Sequence, residues 1–451
     1  MNLGNNTIAA VSTAHGVGGV AVIRVSGTEA APVCDKIFKG KTPVSCAQPY
    51  LMQYGSIKSL SGELIDRVLC VYMKGPHSYT GEDTVEIHCH GGIIVTEKVL
   101  GAVIEAGASL AAPGEFTKRA FLNGKIDLAE AEAVGDIINA ETDLSLTEAV
   151  NRLGGTLSDE INKIRDEILD ITAQILVTAD YPEEDIDTET ASGFAKMIKK
   201  ALEYTEGLLE TSKRGKFIKD GVKCALVGRP NTGKSSLLNA LSGENKAIVT
   251  DIEGTTRDIV EQRIVEDGIV ITLYDTAGIR EGGEEIEKIG IKKSIDFIKE
   301  ADICLAVMEN GNINGEDMEI LSLLKDKKHI VVLNKNDIND EDGGIEGETL
   351  SISAKTGAGL DILRKRIVEL VTDGAKSSVE RAMITNIRQK EALLRARENL
   401  RGALSTIEGG FPIDLAASDL ENAASSLGEI TGETVNDEII DKIFSKFCLG
   451  K

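Results

Sequence analysis

Aromatic and basic residues are scarce in this sequence. Among its 451 residues there is no tryptophan, and Phe, Tyr and Trp together make up 4%, which leaves few rings on which nucleic-acid bases could stack. The 73 acidic residues outnumber the 50 basic ones, which gives a formal net charge of -23. A broad basic surface for nucleic acid is therefore not expected, and any RNA contact has to be local or shared with a partner.

The sequence also lacks paired cysteines, long apolar runs and a signal peptide. No apolar run approaches the roughly 18 residues that cross a membrane, and the stretch from Met1 to Thr7 has neither the basic nor the apolar segment of a leader. The seven cysteines are scattered and contain no Cys-x-x-Cys pair: they are Cys34, Cys46, Cys70, Cys89, Cys224, Cys304 and Cys448. We therefore expect a cytoplasmic protein with reduced thiols and no membrane partner.

A phosphate-binding motif is the most informative stretch that is present. Residues 228–235 are Gly-Arg-Pro-Asn-Thr-Gly-Lys-Ser, with a predicted apolar strand before them at 223–227 and a predicted helix after them. Such a strand, loop and helix point backbone N–H groups and the positive end of the helix dipole at a phosphate. Lys234 would reach the outer phosphates and Ser235 would bind Mg²⁺. The alternative is a Gly-rich turn that merely contains Lys-Ser.

Four further motifs follow in the order that a GTPase needs. Residues 254–258 are Gly-Thr-Thr-Arg-Asp, a switch-like loop whose Thr256 would complete the Mg²⁺ shell. Asp-Thr-Ala-Gly at 275–278 follows a predicted strand, and its aspartate can hold Mg²⁺ through water. Asn-Lys-Asn-Asp at 334–337 and Ser-Ala-Lys at 353–355 end two more predicted strands. The ordered set predicts a guanine-nucleotide domain.

Asp337 is the residue predicted to select guanine. Its carboxylate can accept hydrogen bonds from both N1–H and the exocyclic amine of guanine, and adenine offers no such pair of donors. The predicted GTP-binding residues are Asn231, Thr232, Gly233, Lys234, Ser235, Ser236, Thr250, Asp251, Ile252, Glu253, Gly254, Thr255, Thr256, Asp275, Thr276, Ala277, Gly278, Asn334, Lys335, Asn336, Asp337, Ser353, Ala354 and Lys355.

The regions on either side of the nucleotide domain have different patterns. Residues 1–118 alternate predicted strands and helices, whereas 119–215 and 380–451 are helical and the nucleotide domain spans 222–372. We expect the two helical segments to pack as one bundle, with the nucleotide domain inserted between them. Residues 212–221 are basic and contain glycine, and they are interpreted as a linker, with contact to phosphate as the alternative.

Two features of the first region have alternative interpretations. Arg24 interrupts an apolar strand predicted at 19–27, and it is either functional or an edge-strand arginine whose head is solvated. His88-Cys89-His90 offers metal ligands on one strand face, but no other spaced ligands accompany it. A structural role, with a glycine turn leading into the next helix, is the preferred interpretation.

Several longer motifs extend over the whole chain. They are Pro-Gly-Glu-Phe-Thr at 113–117, Ala-Phe-Leu-Asn at 120–123, Gly-Arg-Pro-Asn-Thr-Gly-Lys-Ser-Ser at 228–236, Thr-Asp-Ile-Glu-Gly-Thr-Thr-Arg-Asp at 250–258 and Phe-Cys-Leu-Gly-Lys at 447–451. With these motifs the sequence resembles the MnmE (TrmE) family of tRNA-modifying GTPases. The tail is similar to the family's Cys-Ile-Gly-Lys, with Leu in place of Ile.

The resemblance implies a multidomain α/β protein. Its parts would be an N-terminal α+β folate-binding-like domain over 1–118 that also forms a homodimer, a discontinuous helical bundle over 119–215 and 380–451, and an inserted Ras-like P-loop GTPase domain. It also implies potassium-dependent GTP hydrolysis and joint action with an MnmG-type flavoprotein, which alone would hold FAD and NADH. Together they would add an aminomethyl or carboxymethylaminomethyl group to C5 of the wobble uridine of certain tRNAs.

The resemblance also implies a site in the N-terminal domain and a role for the tail. Arg24, Glu82, Lys125 and Lys451 match family positions that contact a tetrahydrofolate derivative, whose glutamate tail suits basic side chains and whose pterin donors suit a carboxylate. Local pairing of Glu82 and a helix-ending role for Lys125 are the alternatives. Cys448 is a candidate catalytic residue whose role the sequence leaves open.

The residue after the 275–278 motif affects how GTP would be cleaved. Many GTPases have there a Gln that orients the attacking water, whereas this chain has Ile279. The resemblance implies that Glu287 orients the water instead, with Glu281, Glu284 and Glu285 as neighbouring alternatives. It also implies a potassium ion held by oxygen atoms of Asn231, Thr250, Ile252 and Thr255. Arg257 and Arg280 are the alternatives to potassium, as arginine fingers.

Two other classes of protein carry the same nucleotide motifs. One is a GTP-driven assembly factor, for instance in ribosome maturation, and the other is a switch whose only output is binding. The acidic composition disfavours the first, because an assembly factor is expected to carry a basic RNA-binding module. The second leaves the Cys-Leu-Gly-Lys tail and the extra ligand-binding domain without a purpose.

Overall fold

A computed structural model describes residues 6–180, 191–243, 260–275, 297–339, 349–374, 382–448 and 450. Its contacts divide the chain into two compact units, Met1–Gly135 with Ser425–Lys451, and Asp136–Ala424. The sequence places all of 380–451 in one helical segment, whereas by compactness the last 27 residues, Ser425–Lys451, group with the N-terminal unit. The boundaries of the four segments defined from the sequence remain a prediction.

The first unit is built on a seven-stranded sheet. Its strands are β1 (Ile8–Val11), β2 (Ala21–Ser26), β3 (Phe38–Gly40), β4 (Gln53–Lys58), β5 (Leu64–Met73), β6 (Thr84–Cys89) and β7 (Ser109–Leu110), in the order β3-β4-β5-β6-β2-β1-β7. The N-terminal part of this unit contains the helices α1 (Ala30–Ile37), α2 (Ile93–Glu105) and α3 (Glu115–Leu122), and α4 (Leu128–Ile138) begins in it. Alternating apolar residues of β2 and β6 form the core with α1 and α2.

Strand β2 lies inside this sheet, between β6 and β1. The interpretation of Arg24 as an edge-strand arginine with a solvated head is therefore wrong. A single polar residue in an apolar run looks the same on an edge as in the interior, because the sequence does not give the strand order. In the structure Arg24 pairs in register with Glu86 of β6, which supplies the charge partner that an interior arginine needs.

The second unit holds a six-stranded sheet. Its strands are β8 (Val222–Val227), β9 (Val260–Glu266), β10 (Ile269–Asp275), β11 (Ile303–Glu309), β12 (His329–Asn334) and β13 (Thr349–Ser351), in the order β13-β12-β11-β8-β10-β9. Only the β9–β10 pairing is antiparallel. Strands β8 and β11 are apolar throughout their buried stretches, because helices cover both faces of a parallel sheet.

Helices before and after this sheet in the chain pack on one another. The helices of this unit are α5 (Asp143–Leu153), α6 (Thr156–Asp180), α7 (Ala191–Asp220), α8 (Lys234–Ser242), α9 (Gly315–Leu323), α10 (Leu360–Val371) and α11 (Ile387–Glu408), and α12 (Leu415–Thr431) begins in it. Helix α7 packs along α11, with a Glu206–Arg401 ion pair of 2.7 Å at the margin. In the first unit, α13 (Asp437–Phe444) packs on α3. The predicted multidomain α/β fold class is confirmed.

The predicted linker at 212–221 is wrong, because helix α7 continues to Asp220. Gly215 is inside the helix, and a Cβ atom there would lie 2.2 Å from the carbonyl oxygen of Ile384. The glycine thus permits a close approach of two backbones and does not end the helix. Ser212, Phe217 and Ile218 are buried on the same helix. The basic residues that suggested a linker form the other part of its surface.

Candidate functional site

The phosphate-binding motif forms the predicted strand, loop and helix. Strand β8 ends at Val227 and helix α8 begins at Lys234. Gly228 lets the loop pass close to β11, since a Cβ atom there would lie 2.3 Å from the carbonyl oxygen of Val307. Gly233 has a φ of 93° and is the N-cap of α8. The open N-terminus of α8 is suited to binding an anion.

Lys234 is buried at the start of α8, and its ammonium group lies inside the loop. Its Nζ donates to the carbonyl oxygens of Gly228 and Arg229, each at 2.8 Å. Thr232 Oγ1 also donates to the Arg229 carbonyl, at 3.1 Å. The loop is therefore held around the lysine, and a phosphate in the loop would meet its positive charge.

Ser235 and Asp275 meet where the loop faces the end of β10. Ser235 Oγ donates to Asp275 Oδ2 at 2.7 Å, and the Asp275 side chain is buried. A hydroxyl and a carboxylate this close are oxygen ligands of the kind that Mg²⁺ takes together with phosphate oxygens. The donor set therefore fits a magnesium site.

The base-recognition loops are tied to the phosphate loop through Asn334. Its Nδ2 donates to the carbonyl oxygen of Thr232 at 2.9 Å, and its Oδ1 accepts from the backbone N–H of Ala354 at 3.0 Å. Three loops thus converge on one buried amide. Asp337 is exposed, and Ser353 Oγ donates to its Oδ1 at 2.7 Å. This hydrogen bond lowers the pKa of Asp337, so the carboxylate stays ionised, and remains a hydrogen-bond acceptor, to a lower pH than an ordinary aspartate.

The described part of the predicted GTP-binding set lies at the carboxyl ends of neighbouring strands, on the last strand residues, on the loops that follow them and in the first turn of α8. These residues are Asn231, Thr232, Gly233, Lys234, Ser235, Ser236, Asp275, Asn334, Lys335, Asn336, Asp337, Ser353, Ala354 and Lys355. Asn231 is exposed in the loop with a φ of 65°. The predicted residues at 250–256 and 276–278, and Glu287, lie outside the described residues.

A second polar cluster surrounds Arg24 in the N-terminal unit. Arg24 Nε donates to Glu86 Oε1 at 2.9 Å. The guanidinium carbon lies 5.3 Å from the ring centroid of Tyr79 and 5.7 Å from that of Phe116. Cationic and aromatic groups therefore meet at one place, as recognition of a flat ligand with an anionic tail requires.

Glu82 lies on the loop that carries Tyr79, between β5 and β6, and Lys125 contacts this loop. Glu82 Oε2 accepts from Ser26 Oγ at 2.8 Å, and Lys125 Nζ donates to the carbonyl oxygen of Pro76 at 3.1 Å. The Lys125 stem packs on Gly81, where a Cβ atom would lie 3.3 Å from Lys125 Cγ. The structure thus brings the three described folate-site candidates to one region. Lys451 lies outside the described residues.

Arg119 was missed by the sequence analysis. It is buried in α3, and its Nη1 donates to Glu82 Oε2 at 3.1 Å while its Nη2 donates to Glu115 Oε1 at 2.8 Å. Glu82 therefore does pair locally, and the pairing fixes the orientation of its carboxylate. The four-residue spacing of Glu115 and Arg119 was the available signal, since such residues share one helix face.

The C-terminal tail lies beside β1. Ser12 Oγ donates to the carbonyl oxygen of Gly450 at 2.9 Å. The backbone N–H of Gly114 donates to the carbonyl oxygen of Cys448 at 3.4 Å. Residue Ala10 of β1 pairs in register with Arg24. Gly450 thus lies next to β1, the neighbour of the strand that carries Arg24, and the Cys448 side chain is exposed.

The histidines of the His-Cys-His stretch have carboxylate neighbours. His90 Nδ1 lies 2.8 Å from Asp66 Oδ1, and His88 Nε2 lies 3.6 Å from Glu86 Oε2. Within the described ranges, no group of three or more His, Cys, Asp or Glu side chains could hold a metal ion.

Comparisons with known proteins place these sites in a family. The family model for the GTP-binding protein TrmE N-terminus matches residues 7–125, and that for the MnmE helical domain matches residues 128–448. The tRNA modification GTPase MnmE of Acetivibrio thermocellus is 44% identical over 455 residues, which cover 99% of each chain. The chain belongs to the MnmE family of tRNA modification GTPases. The MnmE protein of Finegoldia magna is 42% identical over 99% of this chain and 100% of its own.

One solved structure matches part of this chain. The G domain of the T. maritima FeoB iron transporter is 29% identical over 33% of this chain and 98% of its own, with a TM-score of 0.27. Membership in the MnmE family makes this chain a GTP-hydrolysing enzyme, as the five motifs predicted. Among the helices that the structure describes, none is long and apolar enough to cross a membrane.

Proposed function

We propose that this chain is a cytoplasmic, potassium-dependent GTP hydrolase that modifies tRNA together with a flavoprotein partner of the MnmG type. The pair adds an aminomethyl or carboxymethylaminomethyl group to C5 of the wobble uridine of certain tRNAs. The observation that carries the proposal is the match over 99% of the chain to relatives named tRNA modification GTPase MnmE. FAD and NADH belong to the partner in this scheme, and the tRNA contact is local or shared, in keeping with the acidic charge of this chain.

In the nucleotide site, each described side chain has a separate task. Lys234 binds the outer phosphates, Ser235 and Asp275 hold Mg²⁺ with Thr256, and Asp337 accepts the guanine donors. Glu287 orients the attacking water. Bound Mg²⁺ and K⁺ supply positive charge against the negative charge that grows on the phosphates during cleavage. For potassium, the exposed Asn231 offers a neutral amide oxygen beside the phosphates, and Thr250, Ile252 and Thr255 provide the other oxygens.

In the N-terminal unit, Arg24, Glu82, Lys125 and Lys451 bind a tetrahydrofolate derivative. The support is geometric: Arg24 lies against two aromatic rings, and Arg119 and Ser26 orient the Glu82 carboxylate. A bound folate would supply a one-carbon group. Arg24 and Lys125 attract its anionic tail, whereas Glu82 accepts from its pterin donors. Cys448 is proposed as a catalytic residue because Gly450, two residues after it, lies beside β1, the neighbour of the Arg24 strand.

A homodimer through the N-terminal domain is part of the proposal. Tyr54 and Leu69 are opposite one another on β4 and β5, and they are 64% and 41% exposed. Their neighbours Val68 and Cys70 are buried in the core, so the exposed pair lies on the other face of the sheet. An apolar, solvent-facing strand pair is suited to burial against a second copy.

The decisive experiment is nucleoside analysis of tRNA from a strain that lacks this gene. We expect wobble uridines without the C5 group, restored by the wild-type gene but not by Ser235→Ala, which removes a magnesium ligand. Ser322→Ala, which changes an exposed serine of α9, is the matched control and should restore the modification fully. Unchanged wobble uridines in the deletion strain would refute tRNA modification and favour an assembly factor or a binding switch.

Binding of a reduced folate gives a second test. The double variant Arg24→Ala, Glu82→Ala should bind 5-formyltetrahydrofolate on the order of a hundredfold more weakly, since two charge-assisted contacts are lost. Calorimetry with the full chain measures the affinity. Arg67→Ala removes an exposed arginine of the same sheet and should leave binding unchanged. Full affinity in the double variant would mean that these residues do not form the folate site.

A further inference from the structure

Two acidic residues outside the nucleotide motifs contact the loops that hold the nucleotide. Glu309 is the last residue of β11, and Asp317 lies in the first turn of α9. The segment between them, residues 310–316, belongs to none of the five motifs. Each carboxylate pairs with a basic side chain of a different nucleotide loop. Asp317 pairs with Arg229 of the phosphate loop, residues 228–233, and Glu309 pairs with Lys335 of the loop after β12, residues 335–337, which we call the base loop.

The Asp317–Arg229 ion pair is almost completely buried. Asp317 is fully buried, and Arg229 Nε lies 2.9 Å from its Oδ2 and 3.1 Å from its Oδ1. The N–H of Asn314 also donates to Oδ2, at 3.1 Å, within the capping box of α9. Because the first turn of a helix holds this carboxylate rigidly, it fixes the position of Arg229.

The position of Arg229 matters because of its backbone. Its carbonyl oxygen accepts from Lys234 Nζ at 2.8 Å and from Thr232 Oγ1 at 3.1 Å. Any shift of Arg229 therefore moves the acceptor that holds the phosphate-binding lysine. A chain of contacts thus runs from Asp317 through Arg229 to Lys234.

The Glu309–Lys335 pair acts on the base loop in the same way. Lys335 Nζ lies 2.7 Å from Glu309 Oε1, and Asn312 Nδ2 donates to Glu309 Oε2 at 3.1 Å. The hydrogen bonds from Lys335 and then Asn312 lower the pKa of Glu309, so it stays charged to a lower pH than an ordinary glutamate. Lys335 has a left-handed φ of 71° and lies between Asn334 and Asp337, so fixing it constrains the path of the base loop.

Asn312 joins the two pairs. Its carbonyl oxygen accepts from Arg229 Nη2, and its side chain donates to Glu309. Nearby, the N–H of Asn310 donates to the carbonyl oxygen of Asn334 at 2.9 Å. The β11–α9 segment is thus a bracket that connects the phosphate loop to the base loop on the side away from the magnesium ligands.

We propose that Asp317 and Glu309 are positioning residues for guanine nucleotides, which hold the phosphate loop and the base loop at the spacing that GDP and GTP require. The two residues determine the affinity for the nucleotide and the rate of its release, and they take no part in GTP cleavage. Neutralising either residue should therefore raise KM and the release rate, with kcat at saturating GTP nearly unchanged.

The test is release of a fluorescent GDP analogue from the full chain, followed by stopped flow. Asp317→Asn should release it roughly ten- to a hundredfold faster, because a buried charge-assisted pair is lost. Glu309→Gln should release it roughly two- to fivefold faster, since this pair is partly exposed. Glu316→Gln changes an exposed carboxylate in the same helical turn and should have no effect.

Further variants separate positioning from general stability. Arg229→Gln combined with Asp317→Asn should release nucleotide at a rate well below the product of the two single effects, since both changes break the same ion pair and only the contact of Arg229 with Asn312 is lost in addition. If Asp317→Asn does not fold, Arg229→Lys replaces it. This variant keeps the positive charge but loses the planar guanidinium group that contacts both oxygens of Asp317, and it should also release the GDP analogue faster than the wild type. Unchanged release rates would overturn the proposal, as would a lower melting temperature without faster release. Slower release from Glu309→Gln would also overturn it, since the pair would then compete with the nucleotide.

Discussion

Asp337→Asn is expected to lose GTP hydrolysis and to gain hydrolysis of xanthosine triphosphate. The carboxylate accepts from two guanine donors, N1–H and the exocyclic amine, whereas the amide of asparagine can donate from one of its two positions. Xanthine has a carbonyl at C2 in place of the amine, so it offers the acceptor that the new amide needs. The preference for GTP over xanthosine triphosphate should change on the order of 10⁴-fold, as when a site loses its match to a substrate's polar groups.

The surroundings of Asp337 indicate that Asp337→Asn changes only the recognition of the base. Ser353 Oγ donates to Asp337 Oδ1, and an asparagine Oδ1 can accept the same hydrogen bond. Asp337 is also exposed, so the substitution leaves no buried group without a partner. The fold and the phosphate loop should therefore be unchanged in the variant.

The measurement is kcat/KM for the two triphosphates with the same preparation. Asp326→Asn, an exposed aspartate in the turn before β12, serves as the charge-matched control and should keep the wild-type preference. If Asp337→Asn still prefers GTP, another residue reads the base and the assignment of Asp337 is wrong.

The sequence predicts the nucleotide loops well because their chemistry is local. A strand, a Gly-rich loop and a helix over 222–242 require particular residues at fixed spacing, and the structure has them as β8, the loop and α8. The ends of β10 and β12 follow in the same way, since apolar runs of a parallel sheet stop where polar motifs begin. The topology rule that ligands bind at the carboxyl ends of such strands then brings the loops together.

Other features depend on contacts between distant parts of the chain, which spacing does not encode. Gly215 looked like a break in α7, yet its role is a close approach to Ile384, about 170 residues later. The position of Arg24 inside the sheet depends on strand order, and the ion pair of the buried Arg119 with the half-buried Glu82 joins α3 to a loop. The bracket of Glu309 and Asp317 has no motif at all, because positioning residues need only a partner in space.

Potassium is expected to raise GTP turnover many-fold over sodium, and Asn231→Ala or Asn231→Lys should abolish the difference. Residue 279 is Ile, which cannot orient water or stabilise charge as Gln can, so another source of positive charge is needed between the β- and γ-phosphates. Asn231 is exposed in the phosphate loop, where its amide oxygen can bind a monovalent cation. Asn231→Ala removes that ligand, and Asn231→Lys replaces the cation with a fixed ammonium group.

In the same experiment, Glu287→Ala distinguishes the role of the potassium ion from the positioning of the attacking water. This variant should cut turnover roughly a hundredfold or more, as loss of a general acid–base group does, yet keep nucleotide affinity and the ratio of rates in potassium and sodium. Turnover is followed by phosphate release at equal ionic strength in the two salts, because screening alone changes charged contacts. Equal rates in the two salts for the wild type would refute the cation mechanism. A fully active Glu287→Ala would assign water positioning to another group, with Glu281, Glu284 and Glu285 the next residues to substitute.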